Sequence, residues 1–255
     1  MSQRVCVFID GENFRNSIVD LFRDEFNQDD YLPQKADWAG FFDSLVKKID
    51  NSGKIVRTYW YVIEEIDFYP YKFPDIRTEP EKLRIVLSKE KTLKDRLDKL
   101  SGEDSTSEMK KIVEDLKNKQ QGMIKRLRGW STLQNGISAK HKFVEFRRSG
   151  AIQYNLFNGE LGKEKTVDVK LATDMIVLKD IYDTAVIVSG DQDYVPAVRY
   201  IKDCGKHVVN VSFETRSGML LPGGAKRLNN ITDWSLRISY DEFYGFLNLV
   251  NKNRQ

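Results

Sequence analysis

Arg4-Val5-Cys6-Val7-Phe8-Ile9-Asp10-Gly11-Glu12-Asn13 is the stretch that decides the fold. Val5 to Ile9 is apolar without alternation, the pattern of a strand buried on both faces of a parallel sheet, and it runs directly into carboxylates. A parallel sheet exposes its ligand-binding groups at the carboxyl ends of its strands. The arrangement returns later, where Thr184-Ala185-Val186-Ile187-Val188 runs into Ser189-Gly190-Asp191-Gln192-Asp193. Acids gathered at one sheet edge repel and raise one another's pKa unless a cation joins them. Metal binding is therefore the first chemistry to test.

Working outward, Asn13 to Phe26 reads as a helix on Phe14, Ile18, Leu21 and Phe22, and a second helix spans about Asp37 to Ile49. Lys54 to Ile63, rich in β-branched and aromatic residues, is the next strand. Phe68 to Pro80, with three prolines, is a loop. Beyond it, apolar stripes over 81–100 and from 108 to 127 predict two charged helices, with capping boxes at Thr78-Glu79-Pro80-Glu81 and Ser105-Thr106-Ser107-Glu108 and a polar turn between them. The economical reading is an antiparallel helical hairpin inserted at about 78–119. Phe143 to Arg148 and Ile152 to Phe157 read as a hairpin or bent strand about Ser149-Gly150. Thr166 is placed as the cap of a helix over 167–179, the strand 184–188 follows, Tyr194 to Cys204 is a helix ended by Gly205, and 206–213 is a strand. Strand and helix alternation of this kind is an α/β domain with helices on both faces of a mainly parallel sheet.

The bulk properties narrow the field. The 255 residues, 40% apolar, are enough for a real core, and a net charge of +3 does not by itself argue for nucleic acid. Cys6 and Cys204 fit neither a metal-ligand spacing nor a disulfide framework and read as reduced. No run approaches a membrane span, and Met1-Ser2-Gln3-Arg4 lacks a signal peptide's apolar core, so the expectation is no membrane and a cytoplasmic location. No glycine-rich phosphate loop or dinucleotide fingerprint occurs.

Three elements offer oxygen ligands of the sort Mg²⁺ prefers: Asp10 ends the first strand, Asp168 lies in the first turn of its helix, and Asp191 and Asp193 follow the second acidic strand. Asp174, six residues after Asp168, lies about 240° further around the helix and belongs to the surround of such a site or to a solvated face. Each acid also has a structural reading: Asp10 and Asp191 as turn formers beside glycine, Asp168 as an acid favoured by the helix dipole, and Asp193 as the N-cap of the helix starting at Tyr194.

Phe8-Ile9-Asp10-Gly11-Glu12-Asn13, Val167-Asp168-Val169-Lys170-Leu171-Ala172-Thr173-Asp174 and Val188-Ser189-Gly190-Asp191-Gln192-Asp193-Tyr194 resemble the three motifs of the NYN domain, in its LabA-like branch. The resemblance covers about residues 3–66 and 120–215. It implies a PIN-like, Rossmannoid three-layer fold and a Mg²⁺- or Mn²⁺-dependent ribonuclease. Carried over, it makes Asp10, Asp168 and Asp191 the metal-binding acids and Asp193 a fourth catalytic acid or orienter, with Asn13, Ser189 and Asp174 around them. On this reading residues 1–255 form one NYN/PIN-like domain carrying the 78–119 insertion, and 214–255 form a C-terminal extension with no family pattern.

Between Glu81 and Arg128, Lys and Arg outnumber Asp and Glu by roughly 14 to 9. Lys125, Arg126, Arg128, Arg147 and Arg148 interleave with Trp130, Phe143 and Phe146, a mixture suited to single-stranded or structured RNA and equally to an ordinary amphipathic surface. Lys206, Arg216, Lys226 and Arg227 make a second candidate rim, beside the glycine-rich stretch Ser217 to Gly224. Competing readings are a non-catalytic RNA-binding or regulatory protein, a metal-dependent phosphatase, a DNA nuclease, and a helical hairpin that mediates homo-oligomerisation or docks a protein partner.

Overall fold

The computed structural model describes residues 2–27, 30–223 and 225–249. In chain order the elements are β1 (Arg4–Asp10), α1 (Gly11–Leu21), α2 (Trp38–Ile49), β2 (Lys54–Val62), β3 (Glu65–Tyr69), α3 (Pro80–Leu87), α4 (Lys91–Leu97) and α5 (Gly102–Lys140). They continue with β4 (Val144–Arg148), β5 (Ala151–Asn155), β6 (Leu161–Lys165), α6 (Val167–Val177), β7 (Thr184–Val188), α7 (Val195–Asp203), β8 (His207–Glu214), β9 (Leu220–Leu221), α8 (Ala225–Asn229), β10 (Trp234–Ser239) and α9 (Tyr240–Leu247). The chain divides into one unit of Met1–Val62, Trp130–Ser149 and Thr166–Gln255, and a second of Ile63–Gly129 and Gly150–Lys165.

In the first unit the strand order is β10-β8-β7-β1-β2-β4, with β9 added to β8. Every pair along the main path is parallel, and only β9 is antiparallel. This is the mostly parallel α/β architecture expected. β1 is hydrogen-bonded on both sides and Val5 to Asp10 are buried, as its unbroken apolar run requires. The core on one side of the sheet is aromatic: Phe14 of α1 lies against Trp38, Phe41, Trp60, Phe213 and Phe243, with ring centroids 5.2–6.2 Å apart. Asp10 caps α1 by accepting from the Asn13 amide at 3.1 Å, and Asp37 caps α2 by accepting from the Gly40 amide at 3.0 Å.

The region after Phe213 is not an appendage. β10 pairs with β8 over Trp234–Ser239, and Phe243 of α9 stacks on Phe213 at 4.6 Å, so the segment supplies a sheet edge and part of the core. Residues 224 and 250–255 of the expected extension lie outside the described residues. Ser149-Gly150 does not close a hairpin: β4 joins β2 in the first unit's sheet, whereas β5 pairs with β3 and β6 in a separate three-stranded sheet. Thr166 does not cap α6 through its side chain; its φ of 80° places it in the left-handed region, which costs a non-glycine residue about 1 kcal/mol or more.

The second unit holds that small sheet with α3, α4 and α5 as far as Gly129. The first expected helix is broken at Ser88-Lys89-Glu90, where the Ser88 and Glu90 amides bond back to Arg84 and Leu87 carbonyls and Glu90 then caps α4. α5 begins at Gly102, so Ser105 to Glu108 lies within a 39-residue helix rather than at its cap, and Glu79 precedes α3 without a side-chain cap bond. Leu83, Leu87, Leu97, Met109, Ile112, Leu116 and Leu156 form this unit's own buried cluster.

Candidate metal centre

Because Ile9 pairs with Val188, β1 and β7 finish level, and the residues that follow both strands leave the sheet at the same edge. Asp10 is fully buried there. Its Oδ1 accepts from the Asn13 amide at 3.1 Å, and its Oδ2 accepts from Asn13 Nδ2 at 2.6 Å, Ser189 Oγ at 2.8 Å and Tyr194 Oη at 3.2 Å. Ser189 ties the two acidic strand ends together, since its hydroxyl also accepts from the Asp191 amide at 3.0 Å. Asp191 Oδ1 in turn accepts from the Asp193 amide at 2.9 Å, so Asp191, not Asp193, caps the turn that leads into α7.

The Tyr194 hydroxyl lies 2.7 Å from Asp168 Oδ1 as well as 3.2 Å from Asp10 Oδ2, bridging the first motif to α6. One hydroxyl proton serves two carboxylates, with the shorter contact to Asp168. Carboxylate oxygens of Asp10 and Asp168 approach within 4.8 Å, and so, mutually, do those of Asp168, Asp191 and Asp193. The four acids lie along one sheet edge in two close groups that share Asp168. A cleft of about 370 Å³ opens beside them, lined by Asn13, Gly190, Asp191, Gln192, Asp193 and Gly223. Arg227 of α8 is exposed and donates to the Gln192 side chain, which sets a guanidinium beside the acids.

The electrostatics follow from burial. Desolvation, reinforced by the Asp168 charge, pushes the Asp10 carboxyl up to about 6 against the pull of its hydrogen bonds. Desolvation also raises Asp168, with Asp191 and Asp193 adding to the shift against the Tyr194 hydrogen bond. A divalent cation would offset the charge repulsion and favour the ionised form of both acids. The donor set is all oxygen and rich in carboxylate, which suits a hard ion such as Mg²⁺ or Mn²⁺ and disfavours a soft one.

Asp174 is in different company. Its Oδ1 accepts from Lys170 Nζ at 2.8 Å, and its Oδ2 accepts from Tyr61 Oη at 3.0 Å and from Arg147. Burial alone would raise its pKa, but the Lys170 and Arg147 hydrogen bonds reverse the sign and leave it below the ordinary carboxylate value. Arg147 also bonds Glu145 at 3.0 Å and lies 4.0 Å over the Tyr59 ring, so its guanidinium is engaged on several sides. Arg148 donates to Gln134 at 3.1 Å and Asn135 at 2.8 Å. Lys125, Arg126 and Arg128 are exposed on the part of α5 that belongs to the second unit.

Tyr194 is the residue of this centre that sequence reasoning passes over. It reads as the first apolar position of a helix, and the only signal of another role is its place directly after two acids. Lys170 and Asp174 carried a clearer mark, being four residues apart on one helix.

Known proteins offer three comparisons. An uncharacterised protein of Methanocaldococcus jannaschii is 30% identical over 105 residues, 41% of this chain. The chain spans only 39% of that relative's length. The crystal structure of a protein of unknown function from Vibrio parahaemolyticus aligns over 93% of each chain at 14% identity with a TM-score of 0.43. The third match begins after Asp10 and takes in Asp168, Asp191, Asp193 and Tyr194. Residues 98–221 match the family model described as the NYN domain, and this supports reading the chain as a NYN-domain protein.

Proposed function

We propose that the protein is a divalent-metal-dependent ribonuclease of the PIN-like superfamily, within the LabA-like branch of NYN domains, using Mg²⁺ or Mn²⁺. The observation that carries the reading is the convergence of Asp10, Asp168, Asp191 and Asp193 from separate segments onto one sheet edge, with Tyr194 bonded to two of them. The resemblance implies Asp10, Asp168 and Asp191 as ligands; the mutual 4.8 Å approach joins Asp168 and Asp191 to Asp193 rather than to Asp10, so Asp168, Asp191 and Asp193 would hold the ion. Asp10, whose two oxygens already accept four hydrogen bonds, contributes charge from the buried side and fixes Asn13, Ser189 and Tyr194 in place. When bound, a divalent ion polarises a phosphodiester oxygen and lowers the pKa of a coordinated water. Arg227, exposed beside the cleft, would pair with a phosphate. His141 and His207 flank the starts of β4 and β8, at the opposite sheet edge, so paired imidazoles have no part in this chemistry.

Single-stranded or structured RNA is the proposed substrate, and the cytoplasm the proposed compartment. No helix among the described residues is long and apolar enough to cross a membrane. The test offers RNA, DNA and a small phosphate monoester to the purified chain with Mg²⁺ or Mn²⁺, alongside Asp191→Asn. RNA cleavage that EDTA abolishes and Asp191→Asn lowers about a hundredfold or more supports the reading. Turnover confined to DNA or to the ester moves it to another hydrolase class, and binding of RNA without cleavage makes it a non-catalytic RNA-binding protein.

A further inference from the structure

The second unit contains a cleft of its own, about 910 Å³, between the loop after β3 and the helices α3 and α5. Phe73, Ile76, Leu83 and Val113 give it an apolar floor continuous with that unit's buried cluster. Lys72, Arg77, Lys110 and Lys117 also line it, and none of these four side chains enters an ion pair among the described residues. Three acids are present. Glu79 is neutralised by Lys82, which leaves the four cations facing Asp75 and Glu114. Lys110 and Lys117 are seven residues apart, two turns along one face of α5. Tyr71, the residue before Lys72, is 89% exposed.

Cations gathered without partners repel, and an anionic ligand removes that cost. Rings near such cations add a preference that an anion alone does not satisfy: Phe73 lines the cleft, partly buried, and exposed Tyr71 directly precedes its first lining residue. The ligand chemistry that uses both features is a planar base joined to a phosphate. We propose that this cleft binds unpaired nucleotides of a single-stranded nucleic acid, with bases against Phe73 and Tyr71 and phosphates on Lys72, Arg77, Lys110 and Lys117. The site shares no residue with the acidic centre, and its ligand binding needs no metal.

Fluorescence anisotropy on the full chain tests this, using a labelled uridine oligonucleotide in EDTA so that cleavage at the acidic centre plays no part. Tyr71→Ala, a change at an exposed position, weakens binding about fivefold or more, the loss of one base stack. The double change Lys110→Gln with Lys117→Gln weakens binding and flattens the slope of log affinity against log salt by about 1.4, or about 0.7 for each phosphate contact removed. A base-paired RNA of the same length binds more weakly than the oligonucleotide. Wild-type affinity and salt slope in both variants overturn the proposal. So does competition by polyglutamate as strong as that by the unlabelled oligonucleotide, which would assign the cleft to an acidic peptide. Loss of nuclease activity with these binding results intact would count against the metal centre alone.

Discussion

A half-buried acid and a buried one lie close together in the sequence of α6 and do opposite things. Asp168 opens the helix among Asp191, Asp193 and the bridging Tyr194, and burial with like charge drives its pKa up. Asp174, six residues later and on a different face, is enclosed by Lys170, Arg147 and Tyr61, and its pKa is driven down. Burial penalises both carboxylates equally in kind; the neighbours decide the sign. A compensated acid ties the helix to the sheet. A group raised by like charge favours either a proton or a cation, the pattern that clusters at functional sites.

The comparison breaks most visibly under substitution. Asp168→Asn should lower RNA cleavage about a hundredfold or more while leaving the urea unfolding midpoint level or higher, since it removes repulsion. Asp174→Ala should cost about 3 kcal/mol of stability, because it strands Arg147 and Lys170 against a partly buried gap, and its activity should follow the folded fraction. If Asp174→Ala instead abolished cleavage with stability intact, the division between the two groups would be wrong.

pH separates them again, by the sign of the slope. Asp10 holds its proton up to about pH 6 in the folded chain and only to about its ordinary value, near 4, when unfolded. In that window the native state carries more protons, so without metal the Asp10 contribution makes the protein less stable as pH rises from about 4 to 6 and is flat above. Asp174, shifted downward, contributes stability that is present above the ordinary carboxylate pKa and lost as pH falls below it. Melting curves against rising pH for the parent, Asp10→Asn and Asp174→Asn should show the falling limb between about pH 4 and 6 removed in Asp10→Asn and the rising limb at lower pH removed in Asp174→Asn. Mn²⁺ affinity should weaken as pH falls below about 6, as protonation of Asp10 removes a negative charge from behind the ligands.

A smaller change sharpens the picture. Tyr194→Phe removes only the shared hydroxyl, so cleavage or metal affinity should fall about tenfold with the fold retained. An unchanged variant would mean that the bridge merely fills space.

Much of this was legible in the chain. β1 and β7 announce themselves as unbroken apolar runs, and their terminal acids could be placed at one edge because parallel strands share a direction. The break between α3 and α4 was hidden, since the apolar stripe continues across Ser88-Lys89-Glu90 and only backbone hydrogen bonding interrupts it. The parting of β4 and β5 was hidden too: Ser149-Gly150 looks like a turn, and nothing local says that the strands on either side pair elsewhere. β10 escaped notice because its alternating, half-exposed residues resemble a loop until β8 is known to need an edge partner. Long-range pairing, not local preference, was what the sequence withheld.

Gly11 follows Asp10, and a β-carbon there would sit 2.3 Å from the Tyr61 carbonyl oxygen. Crowding against the neighbouring strand, rather than any contact with a ligand, therefore restricts this position to the smallest residue. Tolerance maps of the chain would score it as severely as an acid of the centre, and only a readout of protein abundance alongside turnover would tell a backbone constraint from a chemical one.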